Sequence, residues 1–371
     1  MMRSVAARRS DRPKKVPVNR FIDLVLVVFL ALFPLFAKTF QVEMMGRYIA
    51  LSIFAVSLDL LWGYMGLLSL GHAVFFGIGG YMIGLCYQIQ HGLPSFMTRE
   101  KITQLPWFYL PLKNPALAVI LGIAIAALMG ALLGFFVFSS KIKGVFFTII
   151  TLALATMFYQ FIITEQKYTN GFNGLQNIRR FAVGSGAPLT KRQYYYVILA
   201  VGVAVFLFCI WFTKSRVGKV AVSIRENEER LRYFGYKTSH YKILILTISC
   251  AMAGLAGALY APATSSITPV DIGVSASTAV VVWIAVGGRG NLTGAVIGTL
   301  LINWAQSLLS DKFANVWQLI LGVVLLLIIF FIPDGIIGQL VKLQKRCGKQ
   351  TPHTEKVALQ ESSTAESEVL S

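Results

Sequence analysis

Ser69 and His72 are the two residues whose types and spacing best suit chemistry. They lie three positions apart within 59–81, a segment that is apolar overall but also contains Asp59 and six glycines. A hydroxyl and an imidazole both donate and accept hydrogen bonds, so together they could hold a neutral polar molecule. An ionisable side chain among apolar residues is costly unless it is paired or hydrated. The segment is therefore predicted either to line a polar passage or to bond its polar groups to neighbouring backbone.

The glycines of this segment favour an interrupted helix. Glycine lowers helix stability by about 1 kcal/mol relative to alanine, and irregular backbone at membrane depth persists only inside protein or beside a water-filled cavity. We expect breaks at Gly66 and Gly71, with Phe75 framing the passage. Alternatively, the glycines only allow neighbouring helices to pack closely. Asp59 falls late in its apolar stretch, and a position near a helix end explains it better than a role in binding.

A second glycine-rich interruption comes late in the chain. The residues at which we expect this helix to break are Gly287, Gly288, Arg289 and Gly290. An arginine among glycines must reach water, a carboxylate or carbonyl groups. A phosphate-binding loop would need a Gly-Lys-Ser/Thr ending, which the sequence does not have here. Two glycine-interrupted helices, one in each half, favour an internal repeat around a central site, which Trp283 would help to frame.

One long charged segment, 214–242, separates two apolar stretches. Acidic and basic side chains are mixed along its middle, which favours a short helix with both charges exposed. We expect this helix to dock on a soluble partner, with Ile224, Leu231 and Phe234 fitting a groove. A helix on the membrane surface is the alternative, disfavoured by three acidic residues. The residues expected to couple the chain to its partner are Arg225, Glu226, Asn227, Glu228 and Gly235.

Asn173 lies in an Asn/Gly-rich turn, 168–175. It could offer amide groups to a polar solute at an entrance, or it could be only a turn. The four cysteines and four histidines show no metal-ligand spacing. Since catalytic groups do not converge either, we predict no catalytic residue, no metal and no cofactor, and therefore no enzyme.

The elements that must position these residues are membrane helices. Only 13% of the 371 residues are charged and 56% are hydrophobic, whereas soluble domains carry about 25% charged residues. Apolar runs of about 20 residues recur, which is enough to cross a bilayer, and they lack the alternation of a β-barrel. We predict an all-α, polytopic transmembrane helical bundle, with an inverted repeat as one arrangement of its halves. The ten predicted spans are 21–37, 46–65, 67–89, 115–138, 145–164, 194–213, 242–261, 277–288, 291–310 and 314–333.

The net charge of +18 invites comparison with nucleic-acid-binding proteins. Lys and Arg collect instead at the chain ends and in short loops, and their excess predicts that both termini are cytoplasmic in a cell (inner) membrane. Membrane lipid is therefore an expected partner and nucleic acid is not. We expect a basic N-terminus at 1–20, a transmembrane domain at 21–338 that includes 214–242, and a disordered polar tail at 339–371.

Several segments resemble the branched-chain amino acid permease family of ABC transporters. They are 63–81, 225–235 and 251–260, in one collinear order within roughly 45–340. Within this family the chain looks like the urea permease branch. Residue 67 is leucine where amino acid permeases usually have glutamine, and residue 289 is arginine where they commonly have leucine. The short segments 93–97, 105–107 and 169–175 look like the same branch, whereas Ser223 and Asn227 depart from the family pattern.

The resemblance implies a four-part core made of this chain, a second homologous permease subunit and two cytoplasmic ATPase subunits. It also implies a periplasmic or extracellular solute-binding protein, and a coupling helix in 214–242. The leading prediction is ATP-driven import of urea through a heterodimeric pore, with Ser69, His72 or Asn173 as hydrogen-bonding groups. The alternative is a branched-chain amino acid or related amide permease. An ion-driven secondary transporter would need carboxylates in the pathway, and these are few.

Overall fold

The computed structural model describes most of the membrane domain. The described residues are 18–90, 92–102, 104–140, 144–181 and 188–312, with isolated positions at 322, 323, 335 and 338. The tenth predicted span, apart from two isolated positions, and the polar tail lie outside these residues. The N-terminal segment is described only from Val18, where the first helix begins. The predicted division into end segments and a membrane domain therefore stays a prediction.

Helices account for nearly all regular structure in the described residues. In chain order the elements are α1 (Val18–Phe36), α2 (Thr39–Asp59), α3 (His72–Ile89), α4 (Ser95–Arg99), α5 (Pro115–Ser139), α6 (Gly144–Thr164), α7 (Gln166–Thr169), β1 (Leu175–Gln176), α8 (Lys191–Lys214), α9 (Arg216–Tyr233), α10 (Thr238–Thr264), β2 (Ser266–Ile267), α11 (Val274–Gly287) and α12 (Leu292–Lys312). A π-helical turn, Leu60–Tyr64, continues α2.

Seven of the described helices are long and apolar enough to cross a membrane. They are Thr39–Tyr64, His72–Ile89, Pro115–Ser139, Gly144–Thr164, Lys191–Lys214, Thr238–Thr264 and Leu292–Ser310. Two shorter apolar helices, Ile22–Phe36 and Val274–Gly287, correspond to two further predicted spans. The predicted all-α, polytopic fold is confirmed, because seven of the described helices have the length and composition that a hydrocarbon core requires.

Helix α10 lies at the centre and packs against α2, α3 and α5. A Cβ atom added at Gly79 would lie 1.8 Å from the carbonyl oxygen of Gly254, and one added at Gly257 would lie 1.8 Å from that of Phe76. Only glycine permits backbones to approach so closely, and close packing is a main source of helix association in lipid. Glycines of 59–81 that follow His72 therefore serve helix packing.

The bundle has two dissimilar ends. At the first, α2 and α11 both finish in glycine-rich interruptions, 60–71 and 288–291; we call this the break end. At the second, β1 pairs with β2 in antiparallel register, Leu175 opposite Ile267; we call this the strand end. Because α2 and α11 run in the same direction towards the break end, the two interrupted segments are not inverted counterparts of each other.

Two predicted boundaries were wrong. The second span begins at Thr39 rather than at residue 46. The third helix begins at His72 rather than at residue 67, because 66–71 form a non-helical loop. Apolar composition alone does not distinguish this loop from a membrane helix, because irregular backbone is tolerated when it is sealed inside protein.

Candidate functional site

The first interruption follows directly from α2. The chain widens into the turn Leu60–Tyr64 and then leaves the helix, with Gly66 at φ +82°. This left-handed conformation strongly favours glycine. Gly63 is required for a different reason, namely space. A Cβ atom there would lie 2.1 Å from Oδ1 of Asp59 and 2.6 Å from the amide nitrogen of Gly290.

The second interruption is bonded to the first. The amide of Gly290 donates a hydrogen bond of 2.8 Å to Oδ1 of Asp59. Arg289 donates two hydrogen bonds, of 3.1 and 3.3 Å, to the carbonyl oxygen of Trp62. The guanidinium also lies 4.8 Å from the centroid of the Trp62 ring, which adds a cation–π attraction. Arg289 thus reaches a carbonyl, as its position among glycines predicts, and it does so from the exposed break end.

Helix α9 reaches the same place through Arg225. Its guanidinium donates to the carbonyl oxygen of Gly63, a backbone group that the widened turn leaves available. The Arg225 side chain also covers Gly66, where an added Cβ would lie 2.9 Å from its Cγ. Asp59 is completely buried, and the charges of both arginines act on it. We call the set Asp59, Trp62, Gly63, Arg225, Arg289 and Gly290 the break cluster.

The predicted coupling helix is present but bent. Ser215 caps α9 by accepting from the amide of Gly218. The backbone leaves helical geometry at Asn227 (φ −159°, ψ 96°), whose side chain caps the next turn by accepting from the amide of Arg230 at 2.9 Å. Gly235 follows the helix at φ +83°, which suits a residue just past a helix end.

Glu228 ties α9 to α10. Its carboxylate pairs with Arg232 at 2.7 Å and with Lys242 at 2.6 Å, and it accepts a hydrogen bond of 2.9 Å from Thr238. Burial by itself would raise the pKa of Glu228, but the hydrogen bond and charge of Lys242, with Thr238 and Arg232, hold the pKa below its usual value. Glu228 therefore has its partners inside the chain.

The remaining surface of α9 is open. Glu226 and Glu229 are exposed, and no described residue pairs with either. Tyr233 is 91% exposed and Phe234 is 75% exposed. Ile224, by contrast, is buried against the chain's own core, so its predicted place in a partner's groove was wrong. The amphipathic pattern indicated an apolar face correctly, but part of that face packs on the membrane helices.

His72 opens α3 inside a sealed polar pocket. Its Nε2 lies 2.9 Å from Oγ of Ser57 and 3.3 Å from Oγ of Ser249. The ring of Phe54 stacks on the imidazole with centroids 5.6 Å apart. Oγ of Ser69 and Nδ1 of His72 are buried without a hydrogen-bond partner among the described residues. Serine hydroxyls, rather than the expected carbonyl, thus hold the imidazole.

The loop before α3 is anchored to α6. Thr148 donates to the carbonyl oxygen of Leu68 at 2.8 Å, and Thr151 accepts from the amide of Leu70 at 3.1 Å. A Cβ atom at Gly71 would lie 2.1 Å from the carbonyl oxygen of Thr151. Gly71 is therefore needed for close approach. Because of these contacts, any movement of the loop must also act on α6.

The structure brings together only part of the predicted pathway set. Ser69, His72 and Phe75 are all fully buried in one region near the break end. Trp283 is buried on α11, one turn before the second interruption. Asn173 is exposed at the strand end, beyond the opposite end of α3, so it does not join the others.

Sequence reasoning missed several residues that complete these contacts. They are Ser57, Trp62, Thr148, Thr151 and Ser249. Only Thr148 and Thr151 carried a local signal, because they lie three residues apart on one helix face. Among the described residues, no group of three or more His, Cys, Asp or Glu side chains is arranged to hold a metal ion.

Comparison with known proteins defines the class of protein. Residues 41–329 match the family described as branched-chain amino acid transport system permease component. The match covers well over half of the chain, which therefore belongs to this family. Together with the apolar helices, it makes the chain a multi-pass inner-membrane permease subunit. The chain is accordingly a transport component and not itself an enzyme.

Individual relatives are similar at low identity. The high-affinity branched-chain amino acid permease protein LivM of Salmonella typhimurium is 24% identical over 340 residues, covering 85% of this chain and 74% of the relative. A probable LivM of Methanocaldococcus jannaschii is 25% identical over 316 residues, covering 77% and 90%. LivH of Salmonella typhimurium is 28% identical over 173 residues, covering 45% and 54%. No solved structure matches the chain.

These relatives bear on the predicted solute. All three carry names of branched-chain amino acid permeases, so they support the alternative prediction better than the leading one. The predicted specificity for urea is not shown by any of them. LivM and LivH of Salmonella typhimurium, both named as permease proteins of a branched-chain amino acid transport system, are similar to this chain, which supports a partner permease related to this chain.

Proposed function

We propose that the chain is one permease subunit of an ATP-driven importer of a small polar solute, and that α9 transmits motion from a cytoplasmic ATPase. The observation that carries this proposal is the position of Arg225. Its side chain binds Gly63 in the first interruption, and the first interruption binds the second through Asp59 and Gly290. One residue of α9 therefore contacts the point at which both broken helices meet.

The proposed route continues into the membrane. A displacement of α9 would move Gly63, and the loop that follows would pull on Thr148 and Thr151 of α6. Glu228 fixes the C-terminal part of α9 to Lys242 of α10. The rest of α9 would therefore rotate about this contact. A packed protein interior transmits such displacements because it compresses little.

The proposal assigns each end of the bundle a side. The break end is assigned to the cytoplasm, the side on which the excess of Lys and Arg predicts both chain termini. Two ATPase subunits act on the core, one of them binding the exposed α9 surface around Glu226, Glu229 and Phe234. A homologous permease completes the pore, and a periplasmic or extracellular binding protein delivers solute to the strand end.

A branched-chain amino acid is the first candidate solute, because the named relatives transport such compounds. Urea is the second candidate, because Leu67 and Arg289 resemble the urea branch more than the amino acid permeases. A zwitterionic amino acid needs charge-complementary groups at both ends, whereas urea needs only donors and acceptors.

Uptake by the complete transporter in vesicles tests the proposal. With binding protein and ATP present, we expect accumulation of either radiolabelled leucine or radiolabelled urea, and the preferred solute decides between the two candidates. Accumulation by this chain without ATPase subunits would contradict the proposal, since it would indicate a secondary transporter.

A variant at Arg225 tests the coupling step. Arg225→Met keeps the apolar stem of the side chain but removes its hydrogen bond to Gly63. We expect ATP hydrolysis to continue while uptake falls by about tenfold or more, as one charge-assisted hydrogen bond implies. The matched control is Arg230→Met, which makes the same change on the exposed part of α9, outside the break cluster. Equal uptake by both variants and the wild type would contradict the assigned role.

A further inference from the structure

Helices α5 and α6 differ in the side chains that they expose. Each is only 22% buried over its most apolar window, so both present a broad face to the surroundings of this chain. Apart from Ser139 at its last position, the exposed residues of α5 are apolar: Ala116, Leu117, Ile120, Ala124, Leu128, Leu132, Phe135 and Phe136. Such a face suits lipid. The exposed face of α6 does not follow this pattern.

Three polar residues lie along the exposed face of α6. Thr156, Gln160 and Thr164 are spaced four residues apart and are all exposed, so they form one stripe along the helix. Gln160 donates to Oγ1 of Thr164 at 3.4 Å, and Thr156 donates to the carbonyl oxygen of Leu152. No hydrogen bond in the described part of the chain joins these three side chains to another helix.

This stripe occupies the half of α6 that leads to the strand end. The same surface of α6 also exposes the apolar side chains of Ile149, Met157 and Phe161. A polar side chain at membrane depth normally faces protein or a water-filled cavity rather than lipid. The stripe therefore needs a polar neighbour, which lipid chains cannot be.

We propose that this face of α6 lines the water-filled solute path, across which the second permease subunit lies. The inference rests on the proposed function and names its solute-contacting residues. Thr156, Gln160 and Thr164 provide neutral donors and acceptors that bind the polar groups of the solute in succession. The occupant across the path is a homologous permease chain, because two different permease proteins of Salmonella typhimurium, LivM and LivH, are both similar to this chain.

The position of α6 also connects the path to the coupling route. Thr148 and Thr151, near the break end of the same helix, hold the loop that Arg225 contacts through Gly63. A shift of the loop would move the stripe along or around the path. Ser69 belongs to this loop and His72 follows it, and both side chains are buried in the sealed interior, so they support the loop rather than meet the solute.

Cysteine labelling tests whether the stripe faces water. In the complete transporter with Cys347→Ser, the remaining native cysteines are buried. Thr156→Cys and the control Ala124→Cys lie at similar distances from the strand end, on α6 and α5 respectively. A charged, membrane-impermeant maleimide should label Thr156→Cys at least about tenfold faster, because thiols react as thiolates and lipid suppresses ionisation. Saturating solute should slow the labelling of Thr156→Cys alone. Equally slow labelling at both positions would overturn the inference.

A second pair of measurements separates this inference from the proposed function. ATP-driven uptake is measured for the wild type and for Thr156→Val/Gln160→Leu, which removes polar groups at nearly constant volume. We expect uptake to fall at least about tenfold, the effect of losing one or two hydrogen bonds, while assembly and basal ATP hydrolysis persist. Normal uptake by the double variant overturns the inference alone. No uptake of either candidate solute by the wild type overturns the proposed function, and the labelling rates still decide whether the stripe faces water. If the double variant does not assemble, the labelling rates still decide whether the stripe faces water.

Discussion

The break cluster and the α6 stripe are both polar regions in an apolar protein, but their partners differ. In the break cluster, Asp59 and Arg225 bond to groups of the same chain. In the stripe, Gln160 bonds only within its own helix. Oδ1 of Asp59 has a partner inside the chain, although Oδ2 has no hydrogen-bond partner among the described residues, whereas an exposed polar group at membrane depth depends on something outside the chain. The location of the partner thus separates groups that hold the fold from groups that meet other molecules.

Substitution at Asp59 should have the largest effect on stability. Asp59→Leu leaves the Gly290 amide without its acceptor and removes the carboxylate that attracts two arginines. We expect a loss of about 3–5 kcal/mol, the range for breaking a buried charged contact, measured by thermal or denaturant unfolding of the purified transporter. Asp59→Asn keeps an acceptor and should lose less. Equal stability of Asp59→Leu and the wild type would show that the cluster is not structural.

Arg289→Ala should have the next largest effect. It removes two hydrogen bonds to Trp62 and the cation–π contact, and the exposed location limits the loss to about 1–2 kcal/mol. Arg289→Lys retains the charge but not the paired hydrogen bonds. Its stability should therefore lie between that of the wild type and that of Arg289→Ala. Both variants are compared by the same unfolding measurement. An Arg289→Ala protein as stable and active as the wild type would mean that the side chain only extends to water.

Glu228→Gln should cost about 1 kcal/mol near neutral pH, since its ion pairs are partly exposed. The lowered pKa of Glu228 sets the sign of the pH dependence. Its contribution is present above the unfolded pKa, about 4.3, and is lost as pH falls through the lower folded value. Unfolding of wild type and variant should therefore converge in acid. A constant difference at all pH values would contradict this account.

Reversal of Glu226 and Glu229 to lysine should barely alter stability, by less than about 0.5 kcal/mol, because neither residue has a described partner. If the exposed part of α9 binds an ATPase, the same variant should lose coupling between ATP hydrolysis and uptake. Glu228 is left intact because its role is internal. Unchanged coupled uptake would remove this surface from the proposed interface.

Thr156→Val should have the smallest effect on stability, within about 0.5 kcal/mol of zero, because no other helix bonds to its hydroxyl in the described part of the chain. Its effect should appear in uptake instead. A marked loss of stability would place Thr156 with the break cluster and weaken the distinction between the two regions.

Much of the architecture followed from local sequence patterns. Apolar runs predicted the helices, and the glycines around Gly66 and Gly288 predicted both interruptions, since chain flexibility and span length are local properties. The mixed charges near Arg225 predicted a helix outside the apolar stretches. The pathway prediction around Ser69 and His72 was less informative, because a polar residue in an apolar run reads the same whether it meets solute or a neighbouring serine.

The sequence by itself determined that this is a helical membrane protein with two glycine-rich segments that leave helical structure and one charged segment, because hydrophobic length and glycine content act on each segment separately. Only the tertiary structure decided that Asp59 bonds to Gly290, that Arg225 reaches Gly63, and that Gln160 is exposed. The two contacts join residues far apart in the chain. The contacts and the exposure of Gln160 all depend on which helix faces pack together, which no single segment specifies.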